Sequence, residues 1–322
     1  MGIRFLNSYL KTNCQHAIHE KKFSYFANKV IVIDSSIYIY KYLKTDNLLE
    51  GIYSMIIRFK KHNITPIFVF DGHSIEQKSE LISMRKEKKY KAKEEYDKLA
   101  IQYKFLKEDL EKNKKEELMD ITERMDELKK TFVQLKNRHI EDVKRVLEAF
   151  NILHFTADNE ADILCAYLVK KNFAYACLSE DMDLFLYGCP RVLRYLSLLN
   201  ESMVLYNLSE ILKELEISLS EFRQICVLSG TDYNNYDNGV DLYKSVEFYK
   251  SYKNDTKNNN IDFYTWVDNN MKGLINIIEL YLINNMFLLD NVNLKRYKIN
   301  RTLIDKENIK EIMKHDGFIF IN

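Results

Sequence analysis

Short apolar runs punctuate the first 73 residues and return after residue 150. Val30-Ile31-Val32-Ile33 and Ile67-Phe68-Val69-Phe70 are almost unbroken, as in strands covered on both faces of a parallel sheet. Residues 37–60 between them read as helix, and a further helix precedes the first run. Ile152–Phe155, Phe173–Leu178, Val192–Leu196 and Met203–Tyr206 read as further short strands. Asp158 is placed to cap a helix over Glu160–Lys170. From Leu208 the pattern is helical, with caps expected at Ser220 and Thr265, and residues 301–322 read as a last short helix and an apolar tail.

Residues 74–149 have another character, highly charged and nearly free of Gly and Pro. Leu99, Tyr103, Leu106 and Leu110 recur at helical spacing, as do Leu118, Ile121, Met125, Leu128, Phe132 and Leu135. The polar segment 111–116 separates the two stripes, which predicts an antiparallel pair of amphipathic helices inserted between two strands of one sheet. The expected fold is α/β, with a mostly parallel central sheet, helices on both faces and a helical C-terminal region. Its parts are 1–73 and 150–252 as the body, 74–149 as the insertion and 253–322 as a helical extension.

A chain of 322 residues is long enough for a large core. Lys+Arg number 48 and Asp+Glu 47, so net charge alone argues for no partner. Distribution does more. Lys78, Arg85, Lys86, Lys88, Lys89, Lys91 and Lys93 form a basic run, away from the acids considered next. The five cysteines make no CxxC pair, which disfavours zinc ribbons and disulfides and fits an intracellular location. Neither a signal peptide nor a membrane span is expected. There is no GxxxxGK[ST] loop to grip a nucleoside triphosphate.

Acidic residues stand where the apolar runs end: Asp34, Asp71, Asp181 and Asp183, joined by Glu160, Asp162 and Asp232. The carboxyl ends of strands are where open α/β sheets place their sites. A basin of carboxylates without His or Cys partners points to Mg²⁺ or Mn²⁺ rather than zinc. Two such ions about 3.5–4 Å apart can cleave a phosphodiester. Each acid taken singly reads equally well as a helix-dipole or turn residue; the joint pattern carries the argument.

Several of these segments resemble blocks of the flap endonuclease family, the XPG-type structure-specific 5′ nucleases with a PIN-like fold. They are MGIRFL (1–6), VIVIDSSIYIY (30–40), FVFDG (68–72), ADNEADILCAYL (157–168), LSEDMDLFLYG (178–188) and ICVLSGTDY (225–233). The resemblance implies that the seven acids hold two Mg²⁺ ions, with Mn²⁺ as a substitute, and makes Asp181 catalytic. Lys78 and Arg85, seven and fourteen residues after Asp71, become catalytic and phosphate-binding residues. Tyr40 becomes the aromatic that packs on a substrate base, and Gly2 lies near the metals. The inserted helices become an arch over single-stranded DNA. Tyr40 also reads as a core tyrosine, and Lys78 with Arg85 as a solvated basic face.

A helix-two-turn-helix segment that binds duplex DNA and a K⁺ ion is implied at NGVDLYKS (238–245), through Gly239 and Lys244. Asp241 replaces that motif's second glycine, which should oppose close approach to phosphate. No sliding-clamp peptide is recognisable, and these departures resemble members encoded by large DNA viruses. The implied function is structure-specific 5′ nuclease action on flap or junction DNA in replication, repair or recombination. The protein is then a monomer acting in the nucleus or, if viral, at a cytoplasmic replication site. A 5′–3′ exonuclease on DNA or RNA and a non-catalytic junction binder are the alternatives.

Overall fold

The computed structural model describes residues 2–72, 79–108, 115–234, 240–255, 261–271, 276–289 and 304–318. The elements begin with α1 (Leu6–Asn13), β1 (Ile18–Lys22), β2 (Val30–Asp34), α2 (Ser35–Leu43), α3 (Leu48–Lys61) and β3 (Thr65–Phe70). There follow α4 (Ser79–Glu108), α5 (Lys115–Thr131), α6 (Asn137–Ala149), β4 (His154–Thr156), α7 (Ala161–Lys170), β5 (Ala176–Leu178), β6 (Arg191–Ser197) and β7 (Ser202–Asn207). The rest is helical: α8 (Leu208–Glu214), α9 (Leu219–Leu228), α10 (Leu242–Asn254), α11 (Phe263–Asn270), α12 (Ile277–Met286) and α13 (Lys306–His315). The chain divides into two compact units. One comprises Met1–Ser35, Met55–Ile75 and Ile152–Arg301; the other comprises Ser36–Ser54, Glu76–Asn151 and Thr302–Asn322.

The first unit holds the sheet, ordered β1-β7-β6-β5-β2-β3-β4. The five strands from β6 to β4 run parallel, and β7 and β1 add antiparallel pairings at one side. β2 is central because its VIVID sequence can be buried on both faces. Val32, Val69, Cys177 and Val192 face a core shared with α1, α7 and the helices after residue 208. Ile31, Ile33, Phe68 and Phe70 alternate to the other face and are equally buried. After β2 the chain adds β3 and β4 on one side, then returns to place β5 on the other. The order therefore reverses between β2 and β5, and the carboxyl ends of these strands flank a topological switch point.

The second unit is helical. α4 and α5 pair, with Ala92, Ile121 and Leu128 buried and the Tyr96 and Phe132 rings 5.3 Å apart; Leu99, Tyr103 and Leu106 are half-buried, and Leu110 with residues 111–114 lies outside the described residues. Arg124 adds an ion pair to Glu95 at 2.8 Å. α13 returns to α6, where the Asp305 N–H donates to the Ala149 carbonyl at 2.9 Å.

Several expectations need correction. The helix over residues 37–60 is two helices, broken where Asp46 takes φ 55°. α5 stops at Thr131, before Leu135, and α6 follows as a separate helix. β1 was not anticipated, because the edge strand IHEKK is largely polar and lacks strand periodicity. α9 is capped by Ser218 in a reciprocal box with Glu221, not by Ser220, and α11 by Asp262 rather than Thr265. Glu160, not Asp158, occupies the cap position of α7.

The β6–β7 turn is held by charge. Glu201 accepts from Lys61 at 2.9 Å and pairs with His62 at 2.8 Å and Arg58 at 3.3 Å. Hydrogen bonding from Lys61, then from His62, pulls its carboxyl down to about 2. A carboxyl depressed on folding stabilises the fold above its unfolded pKa, and that contribution fades as pH falls toward the folded value. Glu201→Gln should therefore melt below wild type at pH 7, with the gap closing as pH is lowered from about 4.5 toward 2. Thermal melts across this range check it, and a pH-independent gap would contradict the assignment.

Candidate active site

Four neighbouring parallel strands deliver acids to one edge of the sheet. Asp34 is the last residue of β2, in register with Val69 of β3, and Asp71 follows β3 directly. β4 ends at Thr156 ahead of Glu160 and Asp162, and β5 ends at Leu178 ahead of Asp181 and Asp183. Parallel pairing aligns these carboxyl ends, so residues distant in sequence converge.

Side-chain bonds tie the edge together. The buried Ser179 hydroxyl donates to Asp34 Oδ2 at 3.0 Å and accepts from the Asp181 N–H at 3.1 Å. The Asp183 N–H donates in turn to Asp181 Oδ1 at 3.0 Å. This turn, which runs into a short 3₁₀ segment, lets two acids two residues apart converge; in a regular helix they would diverge. Gly2 sits against both. A Cβ there would lie 2.5 Å from Asp183 Oδ1 and 2.7 Å from Asp181 Oδ1, and its φ of +74° also favours glycine. The N-terminal segment is latched in place by Asn7, which accepts from Arg194 at 2.6 Å and from the Tyr206 hydroxyl at 2.8 Å.

On the other side, Asp71 Oδ1 accepts from the Ala161 N–H at 2.8 Å, so an acid from β3 caps α7. Asp162 accepts from the Ile163 N–H at 2.8 Å. The positive end of α7 thus offsets part of the charge of Asp71, Glu160 and Asp162. Glu160 Oε2 accepts from the Tyr233 hydroxyl at 2.9 Å, which links it to the Thr231–Asn234 turn carrying Asp232. Tyr233 also meets the Tyr187 hydroxyl at 3.3 Å.

Electrostatics report the same crowding. Burial, then the nearby Asp162, Tyr233 and Asp183, push Tyr187 well above its ordinary value. Burial raises Cys177, and Cys165, Asp34 and Asp162 push in the same direction. Two carboxylates about 4–5 Å apart repel by about 3–4 kcal/mol at an effective dielectric constant of 20. Such an edge is suited to divalent cations with hard oxygen ligands. Among the described residues, no three His, Cys, Asp or Glu already stand close enough to form a metal-binding group.

Other sequence candidates stand as follows. Lys78 and Gly239 lie outside the described residues, and Arg85 falls on α4 with its side chain not described. The K⁺ expected at residues 238–245 is tied to Gly239 and lies outside the description with it. Tyr40, on α2, is half-buried with Lys89 Nζ 5.3 Å from its ring centre. Lys244 is exposed on α10, and Asp241 caps that helix, accepting from the Lys244 N–H at 2.9 Å. Sequence reasoning missed Ser179 and Tyr233, although each directly adjoins an acidic motif.

A family model described as the XPG N-terminal domain matches residues 1–92, and one described as the XPG I-region matches residues 151–232. The chain is 30% identical to flap endonuclease 1 of Enterocytozoon bieneusi over 270 residues, 79% of this chain and 71% of that protein. It is 29% identical to flap endonuclease 1 of Methanococcus aeolicus over 305 residues, covering 85% and 86%. Both relatives come from cellular organisms, and neither supports a viral origin. In fold, it resembles the catalytic core of Rad2 in complex with DNA substrate (TM-score 0.68, 19% identity, covering 98% and 96%). It also resembles flap endonuclease-1 from Methanococcus jannaschii (TM-score 0.63, 23% identity, covering 99% and 94%).

Ser179→Ala removes both the donor to Asp34 and the acceptor for Asp181. On the expectation that Asp34 and Asp181 hold divalent ions, losing the group that orients them should weaken divalent-ion affinity about 10–100-fold, with the fold intact. Ion titration calorimetry alongside circular dichroism checks this; unchanged affinity would contradict it.

Proposed function

The chain belongs to the XPG and flap-endonuclease family, and on that premise we propose that it cuts DNA phosphodiesters at single-strand/duplex junctions with two divalent cations. As a member of this family the protein is a structure-specific nuclease. The observation that supports the finer reading is the alignment of Asp34, Asp71, Glu160, Asp162, Asp181 and Asp183 at one edge by four parallel strands, with Asp232 tied to it through Tyr233.

The donor set fits Mg²⁺. Its ligands are carboxylate oxygens, while the nearby Cys165 and Cys177 are fully buried thiols pushed upward by burial and so stay protonated. Mg²⁺ keeps several of its waters, so some acids would hold it directly and others through water. When bound, two such ions activate the attacking water and stabilise the leaving oxygen. The glycine at position 2 lets the N-terminal backbone pass directly against Asp181 and Asp183. Ser179 and Tyr233 hold Asp34 and Glu160 in fixed orientations. Lys78 and Arg85 would favour the transition state by neutralising the phosphate. Tyr40 would stack on a substrate base, residues 74–149 would form the arch, and Gly239 with Lys244 would contact the duplex behind the cut. The protein would act as a monomer inside the cell, where DNA is replicated and repaired. No helix among the described residues is long and apolar enough to cross a membrane.

Cleavage of an end-labelled 5′-flap DNA with Mg²⁺ tests the reading. Losing an outer partner of a metal site costs about 10–100-fold, so Asp181→Ala should slow cleavage by more than that. Equal rates for wild type and variant would overturn it.

A further inference from the structure

One strained and exposed aromatic has no role in the account so far. Phe5 is the cap residue of α1 and adopts φ 62°, ψ −7°, the left-handed region. That conformation is unfavourable for any residue with a Cβ, and a bulky residue there is a true outlier. Packing does not compensate, because the side chain is 54% exposed. Its ring instead lies 6.2 Å from the ring of Tyr243, in the first turn of α10, which is itself 46% exposed. The Tyr9 ring meets that of Tyr243 edge-on at 5.8 Å. α1 and α10 are neighbours here, since Leu6, Tyr9, Leu242 and Val246 line one cavity of about 330 Å³.

The surroundings favour an anionic, ring-bearing ligand. Arg4 and Lys244, each adjacent in sequence to one of the two rings, are both exposed. The nearby carboxylate of Asp241 accepts from the Lys244 N–H and is used as a helix cap. Distance ties the pair to the candidate active site. Three residues of chain span at most about 11 Å, so Phe5 lies no farther than that from Gly2, which abuts Asp181 and Asp183.

We propose that Phe5 and Tyr243 form an aromatic platform for a nucleotide of the DNA substrate, flanked by Arg4 and Lys244 for its phosphates. The platform rests on the nuclease reading above and deepens it. Because at most about 11 Å of chain separates Phe5 from Gly2, the platform lies on the same part of the molecule as the acidic edge. Rings accept any base face, so the contact adds grip without sequence preference. The two aromatics are positioning residues. They hold an unpaired or terminal nucleotide at the junction and touch no reacting atom.

Phe5→Gly separates this role from a structural one. Glycine adopts the left-handed conformation freely, so the variant should melt at or above the wild-type temperature. Its affinity for a fluorescent 5′-flap DNA, measured by anisotropy in EDTA, should fall about 5- to 150-fold, as expected for one lost stacking contact. Because an apolar contact is lost, the defect should persist from low to moderate salt, unlike loss of a phosphate contact. In Mg²⁺, KM should rise by a similar factor with kcat nearly unchanged. Tyr243→Ala should behave likewise, and Tyr243→Phe should restore binding. Wild-type affinity in Phe5→Gly, with wild type cutting the flap, would overturn the platform alone. A wild type that neither binds nor cuts the flap would overturn the nuclease reading and the platform with it.

Discussion

Like charge is brought together at one end of the sheet, and the parallel strands supply the means. Carboxylates repel, and nothing local in the sequence would gather Asp34, Asp71 and Asp181, which lie far apart along the chain. Pairing of β2 with β3 and β5 fixes their carboxyl ends side by side, and the reversal of strand order opens the crevice between them. Burial of the VIVID and IFVF runs on both faces makes the pairing stable enough to bear the repulsion. The hydrophobic core and the acidic edge are therefore two ends of the same strands.

Around that edge, hydroxyl and backbone N–H groups donate to several of the carboxylates. Ser179 and Tyr233 donate to Asp34 and Glu160, and backbone N–H groups at the start of α7 serve Asp71 and Asp162. These donors hold the carboxylate oxygens in fixed directions. A lysine or arginine in the same places would have neutralised the carboxylates. The cations of Arg194 and Lys61 are spent elsewhere, on Asn7 with Glu180 and on Glu201.

Much of this was legible in the sequence. The strands ending in Asp34 and Asp71 were readable because central parallel strands are apolar throughout, and the α4–α5 pair because its stripes keep helical spacing. What escaped had physical reasons. β1 is a polar edge strand whose pairing is made by β7, a partner distant in sequence. The cap of α7 comes partly from Asp71, 90 positions away, so no local motif could reveal it. Asp181 and Asp183 share a site only because the chain turns there, a backbone fact that a spacing of two leaves open. Phe5 reads as an ordinary apolar residue until its φ is known.

The central claim is that these acids act as one cation-holding edge. Mn²⁺ binding followed by electron paramagnetic resonance, with a 5′-flap DNA carrying a non-hydrolysable linkage at the junction, tests it most directly. The account predicts saturable uptake of two ions by wild type, reduced alike by Asp34→Asn and by Asp183→Asn although the two residues end different strands. Uptake that is unsaturable, or that survives both substitutions unchanged, would contradict it.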